Sequence, residues 1–242
     1  MDPIQFKSRG QVIKGNVFYP KELKEKKPAV LFIHGWTSGQ DRNFPYAEKI
    51  CELGYVCMTF DLRGHGISEG KLETLTTEDF LNDVISAYDY LAKFKNIDKE
   101  NITIVGSSFG SYLGAILTSK RNISNLVLRV PAYIPDEGFY LPHINFATKP
   151  EIVEWRSKEL SPEALLPLRS VRNFEGKILI VESENDILIP HQTILNYINA
   201  VTNKNRLTYV LMNGATHSIS RDPIRIKKYG EILKEWFKTV VS

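Results

Sequence analysis

The chain has 242 residues, 43% of them hydrophobic and 24% charged, with 31 basic and 28 acidic side chains for a net charge of +3. A charge so balanced gives no reason to expect nucleic-acid or membrane-surface binding, and the length suits one α/β domain whose core removes about 70% of the unfolded surface from water. No apolar run approaches a membrane span, Met1-Asp2-Pro3 opens no signal peptide, and Cys51 and Cys57 sit in apolar contexts as free thiols, which together predict a cytoplasmic protein.

In chain order, Ile4 to Phe6 and Val12 to Tyr19 read as two edge strands, and the charged run Lys21 to Lys27 as a solvated loop. Ala29 to Ile33 is a short apolar run after Pro28, the pattern of a strand buried on both faces. Asn43 to Leu53 has helical spacing and stops at Gly54. Tyr55 to Phe60 is a second buried strand. Thr77 to Phe94 is a long amphipathic helix that Thr76 can cap, with acids in its first turn. Ile102 to Val105 is a strand, Ser111 to Ser119 a helix, and Leu126 to Val130 the next strand. Lys177 to Glu182 and Leu207 to Met212 are two more, followed by helices near Gln192 to Val201 and Pro223 to Val240. Strands alternating with helices predict a mostly parallel sheet with helices on both faces.

Residues 131–173 break the alternation. The segment is rich in proline and aromatics, including Tyr133, Phe139, Tyr140, Phe146 and Trp155. So long an excursion in a compact domain is often a lid or binding loop. It is read as a small cap over the strand ends, with Tyr133, Phe139 and His143 as candidate substrate contacts. A plain structural excursion is the alternative.

The chemistry centres on Gly106-Ser107-Ser108-Phe109-Gly110, which joins the strand Ile102 to Val105 to a helix. Gly-x-Ser-x-Gly in that context is the nucleophile elbow, a sharp turn that lifts a serine hydroxyl above the sheet. A serine needs a general base, and histidine suits because it titrates near neutrality. Of five histidines, His217 lies in the loop after the last strand, at the sheet edge expected for Ser108. His34 and His65 each sit beside a glycine in a loop after a strand and read as structural or oxyanion-loop residues, and His191 as exposed. Asp186, four residues before Pro190, is the carboxylate expected to orient His217, with Glu182 and Glu184 as competitors. The order Ser108, Asp186, His217 is the one this elbow requires. The oxyanion donors should be the backbone N–H of Phe109 and of Trp36, which Gly35 lets approach. No metal or other cofactor is expected: the histidines show no paired ligand spacing, no Cys-x-x-Cys exists, and no Gly-x-Gly-x-x-Gly follows the first strand.

With these residues in place the chain resembles the α/β-hydrolase fold superfamily over nearly its whole length. The markers are His34-Gly35, Asp61-Leu62-Arg63-Gly64-His65-Gly66-Ile67-Ser68, the elbow, Asp186 with Pro190, and Gly214 near His217. The resemblance implies an eight-stranded sheet and a structural His65. Two stretches, His34 to Asn43 and Gly66 to Leu75, look most like bacterial cinnamoyl and feruloyl esterases, and monoacylglycerol lipases share some of these features. Residues 131 to about 161 form a shorter insertion than the subdomain of those esterases. The expected activity is hydrolysis of a small-molecule ester by a serine carboxylesterase, and a homodimer is allowed. A thioesterase, a monoacylglycerol or lysophospholipid lipase, a small peptidase, or a non-catalytic binding protein are the alternatives on this fold.

Overall fold

The computed structural model describes residues 1–147 and 149–240. Thr148, within the expected cap, lies outside them, as do Val241 and Ser242. Eight strands form one sheet: β1 (Asp2–Ser8), β2 (Gln11–Phe18), β3 (Lys27–Ile33), β4 (Val56–Phe60), β5 (Ile97–Ser107), β6 (Asn125–Arg129), β7 (Lys177–Asn185) and β8 (Leu207–Thr216), in the order β1-β2-β4-β3-β5-β6-β7-β8. β1 and β2 are antiparallel to each other, and β2 to β4; every other neighbouring pair is parallel. β2 is therefore not the edge expected from sequence, because β1 covers it.

The helices are α1 (Phe44–Cys51), α2 (Thr77–Leu91), α3 (Phe109–Leu117), α4 (Ile144–Ala147), α5 (Glu151–Arg156), α6 (Leu166–Asn173), α7 (His191–Ala200) and α8 (Pro223–Val240). All five residues of β4 and all five of β6 are buried, as continuous apolar runs between helical layers should be. One core layer holds Phe80, Leu113, Leu168 and Tyr197 from α2, α3, α6 and α7. The opposite layer holds Ile50 from α1 with Leu233, Trp236 and Phe237 from α8. Cys51 and Cys57 are buried free thiols.

Two boundaries differ most from the sequence reading. β5 begins at Ile97, because Ile97 pairs with Lys27 before the exposed run Lys99 to Asn101. Polar residues there hide the strand's start. β8 continues past Asn213-Gly214 to Thr216, where a register shift lets Thr216 pair with Asn185. α6, placed by sequence within the cap, packs on α3 and α7.

The topology sets the site. β5, β6, β7 and β8 are consecutive and parallel, so their carboxyl ends lie side by side. Ser108, Arg129, Asp186 and His217 stand at or just after those four ends. Crevices outside the carboxyl ends of strands are where such sheets bind ligands.

Candidate active site

One residue separates β5 from α3. Ser108 makes the turn with φ 53° and ψ −114°, a region that crowds any L side chain. The surroundings enforce it: Ser108 N–H donates to Arg129 O at 2.9 Å, and Ala132 N–H donates to Ser108 O at 3.3 Å. Both flanking glycines are required by close approach. A Cβ on Gly106 would stand 2.5 Å from Gly110 O, and one on Gly110 would run into Ile33 O. Gly35 backs onto Ser107 and Ser108. Among the described residues no protein group takes a hydrogen bond from Ser108 Oγ, which faces the cavity.

Across that cavity His217 Nδ1 meets Asp186 Oδ2 at 2.7 Å. A carboxylate only accepts, so Nδ1 carries the proton and Nε2 is left with its lone pair. The Asp186 side chain is 2% exposed and that of His217 21%. Leu188 N–H and Ile189 N–H each donate to Asp186 Oδ1 at 2.9 Å, which fixes the carboxylate. The two competitors are engaged elsewhere. Glu182 accepts from Tyr209 OH at 2.5 Å and pairs with His191, and Glu184 accepts from Gly214 N–H at 2.5 Å.

The loop after β3 reaches the same cavity. His34 Nδ1–H donates to Gly35 O at 2.8 Å, and its Nε2 accepts from Leu62 N–H at 3.0 Å. His65 repeats the pattern, donating to Arg63 O at 3.0 Å and accepting from Thr37 N–H at 3.2 Å. Both rings are therefore spent on holding loops. Burial lowers both pKa values, that of His34 to about 4. Asp61 completes the support by accepting from Gln40 N–H and Gln40 Nε2 at 2.8 and 3.0 Å. Trp36 packs edge-on against Phe109 at 5.9 Å. The backbone N–H groups of Trp36 and Phe109 have no partner among the described residues, which leaves both free to meet an oxyanion.

The cavity has a volume of about 770 Å³ and is walled by Ser108, His217, Trp36, Phe109, Tyr133 and His143, among others. His143 is buried, packs tilted against Phe109 with ring centroids 4.0 Å apart, and bonds Thr77 Oγ1 at 2.9 Å. Burial first, then repulsion from Arg156, lowers its pKa to about 3. Phe139 is a correction: it is not on the wall. Its carbonyl accepts from Glu78 N–H at 3.1 Å, which fixes it at the start of α2, where its ring packs on Tyr140.

Two residues matter here that the sequence reading passed over. Arg129 ends β6, buried, and reaches three neighbours of the site: Ser107 Oγ at 3.1 Å, Ser183 Oγ at 3.4 Å and His217 O at 2.9 Å. It stacks over Tyr229 at 5.6 Å, and its Nε finds no partner among the described residues. Burial lowers its pKa. Arg156, on α5, is also buried, and donates from Nε to Tyr133 O at 3.0 Å and from Nη1 to Leu188 O at 3.3 Å. Burial lowers its pKa to about 10, so it stays charged at neutral pH. A cation closing an apolar strand was the available signal for Arg129, since a buried charge demands a partner. Arg156 carried no such signal, because a six-residue helix has too little periodicity to show its buried face.

Comparison with known proteins places the chain. Among solved structures it is similar to Est1E from Butyrivibrio proteoclasticus with ferulic acid bound, at a TM-score of 0.76 and 21% identity, covering 98% of this chain and 99% of that one. It is also similar to the Paleococcus ferrophilus monoacylglycerol lipase, at a TM-score of 0.70 and 17% identity, covering 94% and 99%. In sequence it is 38% identical over 95 residues to the mitochondrial palmitoyl-protein thioesterase ABHD10 of Homo sapiens. That match covers 38% of this chain and spans 29% of the relative's length. The model of the prolyl oligopeptidase family (Peptidase_S9) matches residues 41–242. The chain thus belongs to the prolyl oligopeptidase family, and it has the α/β-hydrolase fold.

Proposed function

We propose that the protein is a serine carboxylesterase that hydrolyses small-to-medium acyl esters, including aromatic-acid esters of the cinnamoyl and feruloyl type, through Ser108, His217 and Asp186. The observation that carries this reading is the 2.7 Å bond from His217 to Asp186, with His217 and the strained Ser108 turn both lining one cavity. Serine–histidine hydrogen bonds of this kind often tighten only when substrate binds. His217 Nε2 takes the Ser108 proton as Oγ attacks the ester carbonyl. Trp36 and Phe109 N–H groups hold the oxyanion, each contributing about 3 kcal/mol to the transition state. The alcohol leaves with the proton from His217, and water, activated by the same ring, releases the acid. Residues 131–165 serve as the cap, with Tyr133 and His143 against the acyl group.

The Ser108→Ala variant should keep the wild-type circular dichroism spectrum and lose turnover of 4-nitrophenyl butyrate. Retained turnover would falsify the assignment. A second reading, an acyl thioesterase, is favoured by the 38% identity with the thioesterase relative. A panel of 4-nitrophenyl esters, acyl-CoAs and aminoacyl anilides separates the readings: higher kcat/KM on acyl-CoAs selects the thioesterase, and on anilides a peptidase. Failure of a fluorophosphonate probe to label Ser108 would point to a non-catalytic binding protein.

A further inference from the structure

The cavity is charged unevenly. Among the described residues its wall carries four cationic side chains, Arg42, Arg129, Lys149 and Arg156, against one carboxylate, Asp41. A cleft lined by one sign of charge concentrates ligands of the other sign. The lining also differs in exposure. Asp41 and Arg42 have side chains 63% and 53% exposed, so the cavity opens to water there. Arg156 lines it as a buried residue, as do Tyr133, Ile134, His143 and Ile152.

Arg156 is 7% exposed and forms no ion pair among the described residues. Its two hydrogen bonds go to backbone carbonyls, and Nη2 bonds to no described residue. Asp186 is close enough to act on it electrostatically, but is already taken by His217, Leu188 N–H and Ile189 N–H. A guanidinium held away from water without a carboxylate is costly unless a ligand supplies one. Its planar fork suits a carboxylate in two-point contact.

From this we infer that the preferred substrates carry a carboxylate on the acyl part, bound by the buried Arg156 in the cavity wall. The acyl part is directed to the buried lining around Arg156, and the leaving alcohol to the exposed lining at Asp41 and Arg42. The apolar walls between Ser108 and Arg156 suit a hydrocarbon or aromatic spacer. The inference rests on the esterase reading and narrows its substrate class.

The test compares mono-4-nitrophenyl adipate with 4-nitrophenyl hexanoate, two acyl chains of equal length that differ in the terminal carboxylate. The wild type should prefer the adipate ester in kcat/KM by about tenfold or more, the size expected of one charge-assisted contact. Arg156→Met should remove that preference, and Arg156→Lys should keep part of it. Free adipate should inhibit hexanoate turnover by the wild type more strongly than free hexanoate does, a measurement that needs no variant. Equal or lower kcat/KM for the adipate ester overturns the inference, as does an unchanged ratio in Arg156→Met. A gain confined to a carboxylate on the leaving group, as in 4-carboxyphenyl hexanoate, also overturns it. Absence of turnover on every ester, without fluorophosphonate labelling, refutes the esterase reading itself and the inference with it.

Discussion

His34 is committed at both ring nitrogens, one to Gly35 O and one to Leu62 N–H. A second proton would place a donor against the Leu62 donor, so the ring must stay neutral. His143 is held neutral more simply, by burial. Their folded-state pKa values of about 4 and about 3 lie below the ordinary 6.5. As pH falls below about 6.5 the unfolded chain therefore binds protons that the native protein does not. The stability these rings contribute is complete above 6.5 and is lost toward pH 4 and 3, at about 1.4 kcal/mol per pH unit for each ring. Melting temperature followed from pH 7 to pH 4 should fall steeply, and His143→Phe should make the slope shallower. An identical slope in that variant would show that the folded protein protonates the ring as readily as the unfolded chain does. Neither ring announced this in the sequence, where a histidine looks the same whether its nitrogens are free or spent.

The ends of four parallel strands meet here, and Arg129 ties them. From β6 it bonds Ser107 at the end of β5, Ser183 within β7, and the His217 carbonyl after β8. Each contact falls on, or within three residues of, Ser108, Asp186 or His217. On the proposed mechanism Arg129 is therefore a positioning residue that acts through those three. Arg129→Met should lower kcat by about tenfold or more with a smaller change in KM, as expected when hydrogen bonds to a charged group are lost. Arg129→Lys should recover part of the loss. Wild-type kcat in the Met variant would reduce Arg129 to a packing residue. The elements themselves were readable because their signals were strong. Thr76 and Asp79 form a reciprocal cap at the start of α2, with bonds of 3.1 and 3.0 Å, as the Thr76-Thr77-Glu78-Asp79 run predicts. The apolar runs of β3, β4 and β6 could only be buried strands. Residues 131–165 resisted reading, because short helices and turns carry little periodicity, and Phe139 was misplaced for that reason.

Across the whole molecule, the sheet order converts sequence distance into proximity, so that Ser108, Asp186 and His217 arrive at one sheet edge from well-separated positions in the chain. Topology of that kind was legible through the elbow and the alternation of strands and helices. The charge on the cavity wall was not, since Arg42, Arg129, Lys149 and Arg156 come together only on folding. The elbow has one further consequence for the molecule. The chain carries a side chain at position 108 where folding alone would favour glycine, since φ 53° with ψ −114° is a conformation only glycine adopts freely. Ser108→Gly should therefore melt at a higher temperature than Ser108→Ala while being equally inactive, because it relaxes a backbone that strains by about 1–3 kcal/mol and forfeits about 1 kcal/mol to the looser unfolded chain. A Gly variant that melts below the Ala variant would mean that the turn is relaxed as built, and that the enzyme gives up no robustness in order to react.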